Sequence, residues 1–269
     1  MSTLPRPPAP TPAPADVSAM LRIELQGRKI EARLTVPAGP VKAQAALPAI
    51  QSLVNAVVES AERATAVAGK PVSCRRGCGA CCRQLVPVSD VEAHALRALV
   101  DAMPAERKAR VEARFSAAGE TLQAAGLKDF LMNPTRLPTD DSQGLGFRYF
   151  EQRLDCPFLE EEACSIHPDR PLVCREYLVT SPAANCSAIE GAALAPVEIP
   201  KLSALARTMT DPGGDVAARW TALALALPWV AANPDTAALK PGPAWINAFL
   251  ERLNRNATGQ PVAGSAAAG

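Results

Sequence analysis

Leu21, Ile23 and Leu25 alternate with Arg22, Glu24 and Gln26, and after Gly27 the residues Ile30, Ala32, Leu34 and Val36 alternate again. A period of two puts each apolar set on one face of a strand, so this spacing predicts a β-hairpin. The period then changes. Ile50, Leu53, Val54, Val57 and Ala61 form an apolar stripe that predicts a helix from about Pro48 to Ala68, with Gly69 and Pro71 as stop signals. Ser89 with Glu92 three residues later is a capping box, opening a helix whose apolar positions are Val91, Ala95, Leu96, Leu99 and Met103. Pro104 opens another, with Val111, Phe115, Ala118 and Leu122 on one face and Gly126 closing it. Helical patterns return at about Ile199 to Thr210, Val216 to Ala232 and Ala244 to Asn254. The second of these is the most apolar, but it spans seventeen residues and contains Arg219 and Pro228, which suits core packing and not a membrane span.

Between Leu127 and Pro200 the periodicity fails, and Asn133-Pro134, Pro138, Gly144, Gly146, Pro157, Pro168, Pro171 and Pro182 punctuate the chain. So long an irregular segment is uncommon in a compact domain unless something pins it. The expected fold class is mainly α with a small N-terminal β-hairpin and an irregular cysteine-rich metal-binding segment packed among helices. The expected division is a disordered Pro/Ala-rich tail over 1–17, a hairpin and helix over 18–70, a cysteine-cluster domain over 71–190, C-terminal helices over 191–255 and a disordered tail over 256–269. Six prolines in the first fourteen positions carry the first of these assignments.

Aromatics are 4% of the chain while hydrophobics reach 48%, so the apolar content is mostly Ala, Leu and Val, which favours helices over a sandwich or barrel. At 269 residues the chain buries a core without needing a metal merely to fold. A net charge of +1 with scattered ionic residues leaves no electrostatic footprint for nucleic acid or an anionic membrane, so neither is an expected partner. A protein partner would leave no mark in the charge pattern. The first sixteen residues lack a basic stretch followed by an apolar one, so they do not read as a secretory signal, and the expected compartment is the reducing cytoplasm. There, clustered cysteines are more often metal ligands or redox groups than disulfides.

Four of the eight cysteines, Cys74, Cys78, Cys81 and Cys82, fall within nine residues, and the other four, Cys156, Cys164, Cys174 and Cys186, all lie in the irregular segment. On a helix the first four would share a face, but Gly77 and Gly79 lower helix propensity, which leaves a loop folded closely around an ion or cluster as at least an equal alternative. Paired C-x2-C knuckles typical of zinc are met only by Cys78 and Cys81, whereas iron–sulfur ligation tolerates more varied spacing. Iron, as an iron–sulfur cluster, is therefore favoured slightly over zinc. Arg75, Arg76 and Arg83 flank the first cluster and Arg170 and Arg175 the second, each a candidate donor to sulfur against the alternative of a solvated surface side chain. His94 falls opposite the apolar stripe of its helix and reads as a solvated surface residue. His167, three residues after Cys164, is weighed as a ligand against a turn residue before Pro168, and the turn is favoured. The acidic run Glu160 to Glu162 reads as a solvated turn.

CRRGCGACC, followed by Cys156-Pro157-Phe158-Leu159, Cys164-Ser165-Ile166-His167-Pro168 and Arg170-Pro171-Leu172-Val173-Cys174-Arg175, resembles the YkgJ-like cysteine-cluster family, described as a zinc- or iron-chelating domain. The resemblance covers roughly Cys74 to Cys186. It implies Cys74, Cys78, Cys81, Cys82, Cys156, Cys164 and Cys174 as the ligand set, with Cys186 added after a variable spacer. Some relatives are named flagellin lysine methylases, but the chain has no glycine-rich strand-to-helix loop of the kind that holds a nucleotide-like cofactor. Cys74, Cys78 and Cys81 also match the C-x3-C-x2-C spacing of radical S-adenosylmethionine enzymes. The absence of repeated strand and helix alternation argues against that family. Three readings follow: a metal-binding protein holding iron or zinc, a redox or protein-modifying enzyme with an open coordination position, and a structural zinc module for a protein partner.

Overall fold

The computed structural model describes residues 15–134, 142–188, 193–210 and 220–257. Most of the two expected tails, residues 1–14 and 258–269, lies outside the described residues, as do residues 216–219 of the expected helix 216–232. Strands β1 (Asp16–Leu25) and β2 (Arg28–Pro37) form an antiparallel hairpin in which Ile23 faces Ile30. Gln26 (φ 48°) and Gly27 (φ 72°) both take the left-handed conformation that a tight two-residue hairpin turn demands. The alternation of β2 is clean. Ile30, Ala32, Leu34 and Val36 are buried and the residues between them are exposed, so a one-residue slip would turn four apolar side chains into water. The hairpin starts earlier than Leu21. Asp16 and Val17, assigned to the tail by the sequence, pair with Pro37 and Val36.

Helix α1 (Leu47–Val67) lays Ile50, Leu53, Val54 and Val57 against β2. It ends in a Schellman closure, with Gly69 N–H bonded to Ala66 O, Lys70 N–H to Thr65 O, and Gly69 at φ 73°. Strand β4 (Pro87–Val88) leads to α2 (Asp90–Asp101), whose Ser89–Glu92 capping box is formed, and then to α3 (Ala105–Ala124) and α4 (Lys128–Met132). Helix α5 (Ser142–Glu151) was not anticipated. It forms despite Gly144 and Gly146 because Leu145 and Tyr149, four residues apart, both face a core.

The rest is built of short pieces: β5 (Leu159–Glu160), β6 (Ala163–Cys164), α6 (Leu172–Glu176), α7 (Ser203–Ala206), β7 (Thr221–Ala222) and α8 (Ala226–Ala232). Strand β8 (Lys240–Pro241) pairs with β3 (Pro40–Val41) and feeds α9 (Gly242–Ala257). Two expected helices shrink. Only residues 203–206 of 199–210 are α-helical, and the described part of 216–232 is α-helical only from residue 226, after a 3-10 turn over Leu223–Leu225, because Pro228 is accommodated in the first turn of α8 and not inside a longer helix.

Nine α-helices and only two-stranded antiparallel pairings are present among the described residues, which is the mainly helical class. Three apolar clusters hold them together. Ile30, Ile50, Leu53, Leu172, Trp245 and Phe249 join β2, α1, α6 and α9, and Trp245 Nε1 donates to Val41 O at 3.0 Å. Leu96, Phe115, Phe158, Ile166 and Leu227 form the second cluster, in which the Phe115 and Phe158 rings meet edge-on at 5.5 Å. Leu122, Leu131, Leu145, Tyr149 and Leu225 form the third. Cys74 packs on the first cluster and Cys156 and Cys164 on the second, so the cysteine-rich segment bridges two cores. No helix among the described residues is long and apolar enough to cross a membrane.

Candidate metal centre

Once the Gly69 closure ends α1, the chain turns towards residues more than a hundred positions away. Ser73 N–H donates to Val179 O at 3.0 Å and its hydroxyl to Val179 O and Ser181 O, which fixes Cys74 beside the segment that carries Cys186. A turn with Gly77 at φ 83° closes by Cys78 N–H to Arg75 O, and a single 3-10 turn, Ala80–Arg83, then carries Cys81 and Cys82. The four early thiols thus sit on a loop and one tight turn, not on one helix face.

The later cysteines are brought to this loop by backbone and side-chain ties. Cys156 N–H donates to Cys82 O at 2.8 Å, joining the two halves directly. Arg83 adds a clamp. Its Nε lies 2.7 Å from Asp155, its two Nη atoms grip both oxygens of Glu162 at 2.9 and 2.6 Å, and Nη1 also reaches Gly79 O. A β-carbon on Gly79 would lie 2.5 Å from Glu162 Oε2, so a larger residue there would displace the Glu162 carboxylate that Arg83 holds. Glu160 ends β5, and Glu161 and Glu162 form the turn, at φ 49° and 57°, yet Glu162 is engaged by Arg83. Arg83 accordingly serves carboxylates, not sulfur.

Cys164 lies on β6, held against β5 and Cys156 by Leu159 N–H to Cys156 O and Ser165 N–H to Phe158 O. Cys174 sits on α6, whose first N–H, that of Leu172, donates to Glu92 Oε1 at 2.8 Å. Glu92 is 4% exposed, and its other oxygen accepts from Ser89 N–H and Oγ–H. One carboxylate therefore closes α2 and starts the helix carrying Cys174. Burial pushes its pKa up, opposed by the hydrogen bonds from Ser89 and Leu172 and by the charge of Arg207. Cys186 lies on a 3-10 turn, Ala183–Ser187, whose backbone Cys186 O accepts from Gln84 Nε2 at 3.1 Å. Tyr177 lies beside the Cys186 and Gln84 side chains, and burial is the main cause that raises its pKa.

All eight cysteines are free thiols; Cys186 is buried and the others half-buried. Their mutual proximity is read in their acidity. Burial, then Cys156, Cys81 and Cys164, push the Cys174 thiol well up. Burial, then Cys164 and Cys81, raise Cys156 to about 12. Burial leads again at Cys74, where Cys81 and Cys78 add to it, and at Cys186, where Cys74, Cys81 and Cys78 do. At Cys81 itself a hydrogen bond to Cys82 is the largest influence, followed by burial and the charge of Cys82, and the thiol is held far above its ordinary range. Cys81 thus neighbours thiols of both halves. The sulfurs are neighbours without being focused on one point: among the described residues no three His, Cys, Asp or Glu side chains already have metal-site geometry.

The donor chemistry suits a soft or borderline metal, because several sulfurs are near one another and unbridged. Six of the thiols are raised, so a metal must displace their protons to bind. An open cleft of about 240 Å³ reaches Cys78 between Arg75, Arg83, Glu162 and Ser187. His167 stands at the edge of the group, where burial and then Arg170, Arg175 and Arg76 lower its pKa and keep it neutral. His94 is not at the site. It is half-buried, edge-on to Trp229 at 5.9 Å, where the sequence placed a solvated side chain. Glu92, Tyr177 and Gln84 were not foreseen as site residues. The Ser89–Glu92 spacing signalled the cap, but nothing local signals the second bond of Glu92 to Leu172.

Residues 73–191, somewhat under half of the chain, match the CxxCxxCC family model, described as a "putative zinc- or iron-chelating domain". Neither the curated proteins nor the solved structures yield a match to this chain.

Proposed function

We propose that residues 71–190 form a resident metal centre, with Cys74, Cys78, Cys81, Cys82, Cys156, Cys164, Cys174 and Cys186 supplying its ligands. The observation that carries this reading is the gathering of thiols from two distant parts of the chain around Cys81, with none of them in a disulfide. Gathering that many half-buried thiols side by side has no evident use for folding in a chain with three apolar clusters. The family description of residues 73–191 as chelating zinc or iron supports it.

Between those metals we favour iron, held as an iron–sulfur cluster, since adjacent Cys81 and Cys82 with dispersed partners do not make paired zinc knuckles. A bound cluster supplies one-electron chemistry, and zinc would supply a rigid cross-link instead. The chain's own part is to hold the ligands at fixed spacing: the Arg83 clamp and the Cys156–Cys82 backbone bond lock one half to the other. Glu92 sets the start of the Cys174 helix.

A second reading, a redox or protein-modifying enzyme, is favoured by the cleft at Cys78, which leaves one side of the centre open to a reactant. Anaerobic purification followed by metal analysis and a visible spectrum tests the assignment. A coloured protein with iron and inorganic sulfide is expected. A colourless protein with stoichiometric zinc removes the iron reading and leaves the structural zinc module for a protein partner.

A further inference from the structure

Several cations in this protein meet carboxylates, as Arg22 does Glu31, Arg97 Asp101 and Glu112, and Arg110 Glu106, while others, such as Arg107 and Arg153, donate to backbone carbonyls. Two arginines beside the second half of the thiol group are held without a carboxylate in hydrogen-bond contact. Arg175, 4% exposed, gives its donors to neutral acceptors, Arg170 O at 3.0 Å, Asn55 Oδ1 at 2.9 Å and Pro168 O, while Asp169 and Glu92 act on it only from beyond bonding distance. Arg170 is held still more unusually. Its Nη1 donates to His167 Nε2 at 2.8 Å, and its Nε is buried with no hydrogen-bond partner among the described residues.

A guanidinium is always protonated and always a donor, so His167 must accept through Nε2 and carry its own proton on Nδ1. That ring nitrogen is therefore taken, and His167 serves to orient Arg170. Leaving an N–H of a cation buried and unmade is costly, and in a native structure such a group calls for an explanation, a functional role or a bound ion among them. Within its electrostatic reach lie Cys81 and Cys164, in both of which the charge of Arg170 favours the thiolate, alongside His167 and the like-charged Arg175. What is missing beside Arg170 is an anion. A metal-bound thiolate supplies both the charge and a sulfur acceptor, and N–H to sulfur bonds are a general means of tuning such centres.

We propose that Arg170 is a positioning residue of the metal centre: its buried Nε–H donates to the sulfur of Cys164 or Cys81 in the metal-bound state, and its charge offsets that of the thiolates. Arg175 braces it through the Arg170 carbonyl, and His167 fixes the rotation of its guanidinium. This rests on the metal-centre reading above.

The test uses the full reduced chain loaded anaerobically with cobalt(II), zinc(II) or iron(II), comparing the unsubstituted protein with Arg170→Gln, Arg170→Lys and the surface control Arg110→Gln. Metal retained against a competing chelator is measured, together with the sulfur-to-cobalt charge-transfer band and the thermal melt of each metal-free form. Arg170→Gln should hold metal about 10–100-fold less tightly and shift the band, with the metal-free melt unchanged. Arg170→Lys keeps the charge but cannot serve both His167 and sulfur, so it should fall between. Arg170→Gln that retains metal as tightly as the unsubstituted chain, with the band unmoved, overturns the proposal. If Arg170→Gln fails to fold, the lysine variant decides: weakened retention supports the role and unchanged retention overturns it. An unsubstituted chain that takes up none of the three metals defeats the metal reading itself, and this inference with it.

Discussion

Glu92→Gln is the substitution that couples the helical scaffold to the thiols most directly. The carboxylate is 4% exposed and spends both oxygens on donors: Oε1 on Leu172 N–H at 2.8 Å, and Oε2 on Ser89 N–H at 2.9 Å and Ser89 Oγ at 2.8 Å. Glutamine keeps the shape but turns one acceptor into a donor. Whichever way the amide faces, one backbone N–H meets another donor in a site closed to water. An unsatisfied buried donor costs about 1–3 kcal/mol. The relief of burying an amide in place of a carboxylate, whose pKa is raised mainly by burial, offsets a part. A net loss of about 1–2 kcal/mol is expected, and at about 2–4 °C per kcal/mol for a chain of this size it should appear as a melting point lower by roughly 2–8 °C.

The local signature is sharper than the global one. If the amide nitrogen faces Leu172, the first turn of α6 loosens and Cys174 becomes more reactive, which timed alkylation of the metal-free protein followed by peptide mass spectrometry reads residue by residue. Ser89→Ala is the control. It weakens the cap of α2 by about 0.5–2 kcal/mol. It leaves the Leu172 bond in place, so Cys174 alkylation should not change. A Glu92→Gln protein with unchanged urea midpoint and unchanged Cys174 alkylation refutes the idea that this carboxylate positions the α6 thiol.

Two further outcomes follow from the same geometry. Cys81→Ser should lower metal content and loosen residues 127–200, because Cys81 neighbours thiols of both halves; unaltered stoichiometry and protease resistance there mean that it is not a ligand. The pH dependence of the metal-free, reduced protein has a definite sign. Folded thiols such as Cys156, pushed up mainly by burial to about 12, stay protonated where the unfolded chain ionises. The unfolded chain then binds fewer protons above its ordinary thiol range near about 8.5, and stability falls as pH rises, by about 1.4 kcal/mol per pH unit for each such thiol. Urea unfolding at pH 7.5 and 9.5 checks this, and a stability that is flat or rises between them contradicts it.

The legible parts of this protein are those where one local signal decides. The β2 alternation, the stripe of α1 with its Gly69 stop and the Ser89–Glu92 box all stand where their spacing put them. Errors occur where tertiary contacts outvote local preference. Asp16 and Val17 read as tail because they adjoin a proline run, yet β2 supplies a ladder for them. Gly144 and Gly146 concealed α5, which the third apolar cluster stabilises through Leu145 and Tyr149. Pro228 read as a break within a helix, although it stands where a helix begins. At the site, the residue types were legible because eight cysteines in two groups have few other uses. That the irregular segment folds back to the early cysteines was an expectation of the sequence, but the ties that hold it there, Cys156 N–H to Cys82 O and Arg83 to Asp155 and Glu162, are pairings that no local pattern encodes. Arg83 exemplifies this: its neighbours in sequence suggest a sulfur partner, and its neighbours in space are carboxylates.

The claim beneath all of this is that thiols from both halves of the chain bind one kind of metal centre. X-ray absorption at the metal edge of the anaerobically loaded, full-length protein addresses it directly. An inner shell made of sulfur alone, at about 2.3 Å, is the predicted result. A shell dominated by oxygen or nitrogen, or a chain that leaves the loading step without metal, would contradict it.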